Sequence, residues 1–404
     1  MHDETPLIAL IAIGLAFAFV GGYTAVRLGL SPIIGYLLAG IAVGPFTPGF
    51  VGEPQLAAEL AEIGVILLMF GVGMHFSMSE LWVMRSVAVP GAIIQILAAT
   101  ALGTGLALLW GWSFVSGLIF GLALSVASTV VLVRALESLK AINSLDGKIA
   151  VGWLVVEDVV MVVALVLLPA FAGQGGATGP VPDPPAGLSL WLQLGMALGK
   201  VAVFIALMLV FGSRLFPWLL QRVERTGSRE LFTLAVIALA LGIAFGAHKV
   251  FGLSFALGAF FAGVIIHQSD LHKQATMCLQ PFQDAFGVLF FVAMGMLFDP
   301  MILVHHPVQV LAVLAIIIIG KSLAAFGIVL ALRRPLSTAL VVSAALAQIG
   351  EFSFILAALG VQLGFLALEA QNLILAGALL SITLNPLVFL AGERIYRTRP
   401  AAKP

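Results

Sequence analysis

The sequence predicts an all-α membrane protein of about thirteen transmembrane helices, in which two inverted six-helix repeats are joined by a seventh helix. The composition, the spacing of the apolar runs and an internal repeat lead to this prediction. Of 404 residues, 61% are hydrophobic and 9% are charged, and the mean hydropathy is +1.16. A soluble fold of this length could not bury so much apolar surface. We therefore expect the chain to lie in lipid.

The charge balance and the cysteine count exclude other classes of protein. The 19 basic and 19 acidic residues cancel, which sets nucleic acid aside as a partner, and no glycine-rich phosphate loop follows a strand pattern. The single cysteine, Cys278, cannot form a disulfide framework or a cysteine-rich metal site. We expect a membrane protein that is not an enzyme and that holds no cofactor.

Thirteen apolar runs, separated by Gly, Pro or charge, are the candidate transmembrane helices. Most exceed the roughly 20 residues that cross a hydrocarbon core of about 30 Å, whereas the second and ninth are nearer about 15 residues. The first run lacks a cleavage signal and is interpreted as a retained helix. The runs cover residues 6–26, 31–44, 56–76, 86–110, 113–136, 148–172, 190–217, 230–248, 252–267, 283–298, 308–330, 336–358 and 371–392.

The basic residues predict the orientation of the chain. Sixteen of the nineteen lysines and arginines fall in or beside loops that follow odd-numbered helices. By the positive-inside rule, the N-terminus is therefore outside and the C-terminus is cytoplasmic. The sixteen are Arg27, Arg85, Arg134, Lys140, Lys148, Arg214, Arg222, Arg225, Arg229, Lys273, Arg333, Arg334, Arg394, Arg397, Arg399 and Lys403.

Small residues recur at a nearly constant offset in two parts of the chain. The two copies are seven helices apart, an odd number, so they must cross the membrane in opposite directions. Such inverted repeats recur in secondary transporters. The alternative is chance recurrence of the small residues that let membrane helices pack closely. At an offset of 223, Leu30, Ser31, Gly35, Ala39, Gly40 and Gly64 match Leu253, Ser254, Gly258, Ala262, Gly263 and Gly287, and Gly73 matches Gly295 with one residue lost.

Adjacent carboxylates, Glu157 and Asp158, lie near the middle of the sixth span. Asp158 is ten residues beyond Lys148, which at about 1.5 Å per residue places it about 15 Å into the bilayer. A carboxylate at this depth can hold either a proton or a dehydrated monovalent cation, and exclusive occupancy is a basis for antiport. The alternative is a static ion pair between helices, which carries more weight for Glu157.

Lys321 lies near the middle of the eleventh span, in an otherwise apolar stretch. A buried ammonium needs a counter-charge, and Glu157 or Asp158 is the natural candidate. The alternative is a lysine whose side chain reaches the membrane interface.

Polar residues in the fifth and twelfth spans predict that both helices are broken. Unwound segments expose carbonyl groups and helix ends, which can coordinate or compensate ions. For each hydroxyl, a bond to its own backbone is an equal alternative. Glu351 is either functional or paired with a helix end. The residues are Ser125, Ser128 and Thr129 in the fifth span, and Gln348, Gly350 and Glu351 in the twelfth.

Four motifs carry a resemblance to a known family. They are ASTVV at 127–131, GWLVVED at 152–158, FFVAMGMLFD at 290–299 and AQIGEF at 347–352. Over nearly its whole length the chain resembles the monovalent cation:proton antiporter family 2, and within it the Kef-type and YbaL-like bacterial branch.

The resemblance implies a homodimer in the lipid of a bacterial inner membrane, with an NhaA-like antiporter fold and two broken crossing helices. Dimerisation helices would lie within 6–76 and 230–298, and ion-transport core helices within 86–172 and 308–392. Residues 190–217 would form the linker helix. An elevator-like movement of the core would alternate access to the site.

The resemblance also implies roles for individual residues. The second residue of the pair in the sixth span binds the ion, here Asp158, and Lys321 maps onto the lysine that pairs with the carboxylate site. Glu157 departs from the Asp, Asn or Gln that is common there, which leaves the charge stoichiometry open. Full-length Kef-type proteins carry a regulatory cytosolic nucleotide-binding domain, and none is expected within this chain, whose last residue is Pro404.

We therefore hypothesise exchange of K⁺ for H⁺ by alternating access. Three alternatives stay open: a Na⁺/H⁺ antiporter of the same fold, a channel-like K⁺ efflux protein, and an ion sensor without transport. Oxygen ligands bind Na⁺ and K⁺ alike, so the residues do not decide selectivity. The predicted ion- or proton-binding residues are Asp158, Glu157, Thr129 and Ser128, and Lys321 and Glu351 are predicted to compensate charge.

Overall fold

A computed structural model describes residues 6–48, 52–75, 78–138, 144–172 and 190–397. These residues form helices with short connections and contain no strand, which confirms the predicted all-α class. The helices of the first half are α1 Pro6–Arg27, α2 Pro32–Val43, α3 Pro54–His75, α4 Met78–Leu109, α5 Phe114–Ser125, α6 Thr129–Ser138, α7 Leu145–Ala172, α8 Leu190–Leu207 and α9 Ser213–Glu224. Those of the second half are α10 Arg229–Phe251, α11 Phe255–His267, α12 His272–Met296, α13 Ile302–His305, α14 Pro307–Ala315, α15 Lys321–Ala331, α16 Leu336–Ala345, α17 Glu351–Gln362 and α18 Leu368–Arg397.

Within the described ranges, nine helical segments are long and apolar enough to cross a membrane. Helices α2, α5, α11, α16 and α17 are apolar but shorter, with 10 to 17 residues each. Each of the thirteen predicted spans coincides with helical structure. The prediction of a multi-pass helical protein is therefore confirmed, whereas the number thirteen depends on how the short helices are counted.

Two long segments contain a π-helical turn that the apolar pattern did not predict. The turns cover Met208–Gly212, between α8 and α9, and Ile316–Gly320, between α14 and α15. A π turn inserts a residue and shifts the direction of the side chains that follow, and such turns are frequent at functional sites. Lys321 comes directly after the second turn.

Serine side chains determine where three apolar helices begin. Ser113 Oγ accepts the backbone N–H of Ser116 at 3.1 Å, at the start of α5. Ser228 caps α10 and Ser254 caps α11 in the same way. The first N–H groups of a helix have no partner within the helix, so a side-chain acceptor stabilises its start.

The chain divides into two compact units, each built from separate stretches of sequence. The first contains Met1–Val20, Tyr36–Phe76 and Val162–Leu297. The second contains Gly21–Gly35, Ser77–Met161 and Phe298–Pro404.

In the first unit, four glycines allow helices to approach each other closely. Their contacts form two pairs, and the members of each pair are related by the offset of the internal repeat. A Cβ atom at any of these glycines would collide with a backbone carbonyl oxygen of the facing helix. The offset of 223 or 222 that relates the two copies of the sequence also relates the contacts. The contacts pair Gly40 with Val292, Gly263 with Phe70, Gly295 with Leu37 and Gly73 with Phe260.

The second unit has an apolar core formed by α4, α6, α7, α15 and α16. Trp153 of α7 is its largest side chain and is fully buried. Ala88 and Ala92 of α4 and Val329 of α15 are buried in the same core. This packing fixes α7, which carries both predicted carboxylates, against the helices around it.

Candidate ion-binding site

Both predicted breaks are present, and they lie in the second unit. Helix α5 ends at Ser125 and α6 begins at Thr129, while α16 ends at Ala345 and α17 begins at Glu351. Gly350 is extended, with φ −127° and ψ −164°. A Cβ atom on Gly350 would lie 2.5 Å from the Cα of Ser128, so the absence of a side chain lets the two segments meet.

The amide of Gln348 joins the two unwound segments. Its Oε1 accepts the backbone N–H of Ser128 at 2.9 Å, and its Nε2 donates to the carbonyl oxygen of Ser128 at 3.2 Å. The same Nε2 also donates to the carbonyl oxygen of Ala345 at 3.3 Å, at the end of α16. One buried side chain thus binds backbone groups of both interruptions, including the Ser128 N–H and the Ala345 carbonyl group at the end of α16.

The two carboxylates of α7 bind to the interruption between α5 and α6. The backbone N–H of Ala127 donates to Glu157 Oε2 at 2.8 Å. Thr129 Oγ1 donates to Asp158 Oδ2 at 3.4 Å. Consecutive helix residues point about 100° apart, and the pair accordingly contacts different groups of the same break.

Glu351 is the first residue of α17, and Ser128 Oγ donates to its Oε2 at 3.1 Å. The carboxylate also interacts with its own backbone N–H. The positive end of a helix dipole stabilises a carboxylate at this position. Both interpretations of Glu351 therefore have a basis, because it lies at a helix end and it also belongs to the group of carboxylates around Ser128.

Lys321 is fully buried, and its Nζ donates to the carbonyl oxygen of Gln348 at 2.9 Å. Its charge also interacts with that of Glu157. The structure thus places Lys321 on an unwound carbonyl group and within electrostatic range of Glu157. The predicted role of Lys321 in charge compensation stays a prediction.

Each carboxylate of α7 keeps one buried oxygen without a hydrogen-bond partner among the described residues. These atoms are Glu157 Oε1 and Asp158 Oδ1, and the two side chains are 0% and 8% exposed. An ionised buried oxygen without a donor is costly. A proton or a dehydrated cation would satisfy it.

The other charges of the site are of mixed sign. Asp158 interacts electrostatically with Glu351 and with Glu157, and Lys321 supplies one positive charge. In the part of the chain that the structure describes, no three His, Cys, Asp or Glu side chains form a metal-ligating group. A cation at Asp158 would therefore need hydroxyl, carbonyl or water oxygens as further ligands.

Three residues of this region were not predicted as functional. Gln95 Nε2 donates to the carbonyl oxygen of Ser125 at 2.9 Å, and Asn385 Nδ2 donates to that of Ala344 at 2.9 Å. Trp153 Nε1 donates to Gln95 Oε1 at 3.4 Å. The available signal was a buried amide in an otherwise apolar span, which supplies hydrogen bonds where helix ends lack them.

Interrupted helices that surround buried carboxylates and a buried lysine, in a multi-pass helical protein, define the class of ion-coupled secondary transporters. The family model described as "Sodium/hydrogen exchanger, transmembrane" matches residues 15–390. The chain therefore belongs to the sodium/hydrogen exchanger family.

Curated relatives agree with this family. The chain is 56% identical over 396 residues to YbaL of Escherichia coli (strain K12), named as a cation/proton antiporter, and the match covers 98% of this chain and 70% of YbaL. It is 32% identical over 385 residues to K(+) efflux antiporter 4 of Arabidopsis thaliana, and this match covers 95% of this chain and 63% of that protein. The predicted resemblance to the YbaL-like branch is confirmed.

The fold is similar to that of MjNhaP1, a sodium proton antiporter from Methanocaldococcus jannaschii whose structure was solved at pH 8. The TM-score is 0.70 at 16% sequence identity, and the match covers 96% of this chain and 98% of the other. At this identity, the likeness concerns the fold alone.

Proposed function

We propose that this protein is a secondary active antiporter that exchanges a monovalent cation, with K⁺ favoured over Na⁺, for H⁺ at Asp158. The observation that carries the proposal is the buried Oδ1 of Asp158, which has no hydrogen-bond partner among the described residues. A proton or a cation can occupy this oxygen, but not both. Mutual exclusion at one carboxylate is sufficient to couple the two fluxes when access alternates.

The neighbouring residues have distinct roles in this proposal. The hydroxyl group of Thr129 contacts Asp158 and that of Ser128 contacts Glu351, so both are close enough to supply ligands. Glu157 and Lys321 form an electrostatic pair that balances charge beside the exchange site. K⁺ is favoured because the Arabidopsis relatives are named as K⁺ efflux antiporters.

We count thirteen crossings in the proposed topology. The nine long segments are joined by α2, by α11 and by two interrupted crossings, α5 with α6 and α16 with α17. The paired glycine contacts of the first unit support an inverted repeat, since each contact in one copy has its equivalent in the other.

The remaining parts of the proposal rest on the resemblance and on the distribution of charge. We expect a lipid-embedded homodimer in a bacterial inner membrane, with its N-terminus outside and its C-terminus cytoplasmic. The scaffold helices would hold the dimer while the core carries the ion by an elevator-like movement.

Competition between protons and cations is the first test of this function. Purified protein in proteoliposomes is driven by a pH gradient, with K⁺, Na⁺ and Li⁺ tested in turn and the membrane potential clamped. If one carboxylate is shared, the apparent KM for the cation rises by up to about tenfold per unit fall in pH. Flux that is uncoupled from protons would support a channel, and ion-stabilised melting without flux would support a sensor.

Asp158→Asn tests the assignment of the site. The amide keeps the size of the side chain but cannot release a proton, so we expect exchange to fall by at least about a hundredfold. Asp270→Asn changes an exposed carboxylate outside the site and should leave exchange unchanged. Undiminished exchange in Asp158→Asn would contradict the proposal.

A further inference from the structure

Gln95 of α4 supplies a hydrogen bond to the end of the interrupted helix α5. Its side chain is fully buried, and its Nε2 donates to the carbonyl oxygen of Ser125 at 2.9 Å. Ser125 is the last residue of α5, so its carbonyl group has lost the helical donor that a continuous helix would provide. In a low-dielectric interior, such a group needs another donor.

Trp153 of α7 fixes the orientation of the Gln95 amide. The indole nitrogen can only donate, and it donates to Gln95 Oε1 at 3.4 Å, so the amide nitrogen must face Ser125. The indole ring packs on Gly91, one turn before Gln95, where a Cβ atom would overlap the ring. A reversed amide would lose both hydrogen bonds.

The same contacts lead to Glu157. Trp153 lies one helical turn before Glu157, and its indole interacts with the Glu157 carboxylate. Ala127, two residues after Ser125, donates its backbone N–H to Glu157 Oε2 at 2.8 Å. Gln95 therefore contacts Trp153 directly and Ser125, two residues before Ala127.

Lys321 makes the corresponding contact at the other interruption. Its Nζ donates to the carbonyl oxygen of Gln348 at 2.9 Å. Gln348 lies in the unwound segment between α16 and α17, and Ser125 is the last residue of α5. Each interruption thus receives a buried side-chain donor at a carbonyl group, one neutral and one charged.

We propose that Gln95 is a positioning residue that orients Glu157 through Trp153 and the Ser125–Ala127 segment, as the neutral counterpart of Lys321. The inference deepens the proposed function and rests on it, because its effect is measured through exchange. Gln95 is not among the residues proposed to bind the proton or the cation. A neutral donor at this position leaves Lys321 as the positive charge that balances Glu157.

Gln95→Met tests the positioning role, with Thr100→Val as the matched control on the same helix. Methionine keeps the length of the side chain and removes both hydrogen bonds, whereas the Thr100 hydroxyl has no hydrogen-bond partner among the described residues. In proteoliposomes, we expect Gln95→Met to lower the maximal exchange rate at least about tenfold while the cation KM changes less than about threefold. Thr100→Val should have the same maximal exchange rate as the unchanged protein. Equal maximal rates for Gln95→Met and Thr100→Val would overturn the inference.

A double variant separates positioning from a general structural role. If Gln95 acts through Glu157, the double variant Gln95→Met with Glu157→Gln should exchange less than about twofold more slowly than Glu157→Gln alone, because the group that Gln95 positions is already altered. If Gln95→Met lowers the exchange rate by the same factor in the Glu157→Gln protein and in the unchanged protein, Gln95 acts independently and the inference fails.

Exchange of the two donors tests their correspondence and remains decisive if Gln95→Met does not fold. We expect Lys321→Gln to lose exchange. Gln95→Lys combined with Lys321→Gln should raise the exchange rate at least about fivefold above that of Lys321→Gln, because it restores one positive charge to the buried donors of the two interruptions. No recovery would contradict the correspondence. Asp158→Asn distinguishes the two proposals: if it abolishes exchange while the Gln95 variants behave as Thr100→Val, only this inference fails.

Discussion

The side chains of consecutive residues, Ser128 and Thr129, donate hydrogen bonds to two different carboxylates of the site. Ser128 Oγ contacts Glu351, and Thr129 Oγ1 contacts Asp158. The charges of Asp158 and Glu351 repel each other, and repulsion between buried charges is stronger than in water. A proton or a cation that binds at this point relieves the repulsion.

At the residue scale, we predict energetic coupling between Glu157 and Lys321. Because each variant leaves a buried charge without its electrostatic counterpart, Glu157→Gln and Lys321→Gln should each destabilise the protein, by about 1–3 kcal/mol. The double variant should be more stable than the sum predicts, with a coupling energy of about 1–3 kcal/mol. Unfolding in mixed micelles measures the free energies of the four proteins.

The control for this cycle combines Lys321→Gln with Asp270→Asn, which changes an exposed carboxylate. The changes in the free energy of unfolding caused by these two substitutions should add within about 0.5 kcal/mol in the double variant. A coupling energy near zero for Glu157 and Lys321 would show that the buried lysine is stabilised by the Gln348 carbonyl group alone.

At the scale of elements, the site depends on two helices that stop and restart within a few residues. Each interruption exposes backbone groups that water would normally satisfy, and amide side chains replace that water. Gln348, Gln95 and Asn385 together contact carbonyl groups at the ends of α5 and α16. The interruption between α5 and α6 also provides the N–H group of Ala127 for a carboxylate. The unwound segments are therefore both a structural cost and the source of the site's ligands.

Gly350→Ala should disrupt the contact between the two interruptions. The added Cβ atom would lie 2.5 Å from the Cα of Ser128, so one backbone must move, and overpacking of this kind costs about 1–3 kcal/mol. Because the displaced residue also contacts Glu351, exchange should fall together with the melting temperature. Both are measured on purified protein, the first in proteoliposomes and the second in detergent.

Gly327→Ala is the matched control for this variant. Gly327 lies in α15 of the same unit, and a Cβ atom there has nothing within 4 Å. Alanine favours a helix by about 0.5–1 kcal/mol over glycine, so stability should stay the same or rise. Equal tolerance of alanine at both positions would mean that the close approach at Gly350 is dispensable.

At the scale of the whole molecule, an internal repeat in the sequence has a counterpart in the packing. In the first unit, Gly40 approaches Val292 as Gly263 approaches Phe70. In the second unit, buried side-chain donors reach a carbonyl group at each interruption, Ser125 at one and Gln348 at the other. Small residues permit close helix packing where lipid provides no hydrophobic driving force between helices, and glycine serves this purpose at both ends of each paired contact.

We predict that Gly40→Ala and Gly263→Ala have similar effects. Each added Cβ atom meets a backbone carbonyl oxygen of the facing helix, which should lower stability by about 1–3 kcal/mol. Gly242→Ala is the control, because a Cβ atom there has nothing within 4 Å. Melting temperatures in detergent measure all three, and a large loss for only one of the two paired glycines would contradict the equivalence.

The sequence by itself determined that this is a multi-pass helical protein with carboxylates and a lysine deep in its spans. Apolar length and composition specify insertion into lipid residue by residue, so a one-dimensional pattern is sufficient. It also indicated both helix breaks, because glycine, amide and hydroxyl groups interrupt apolar runs. The family resemblance followed from the same residues, at 127–131 and 347–352.

Only the tertiary structure decided which groups these residues contact. Lys321 reaches the Gln348 carbonyl group, and Ser128 binds Gln348 and Glu351, which lie 220 and 223 positions away along the chain. The order of apolar and polar residues also did not predict the π turn before Lys321 or the contact of Gln95 with Ser125. Such contacts depend on where a helix unwinds and on the direction in which its side chains point before that break. Packing between distant segments, rather than local composition, determines both.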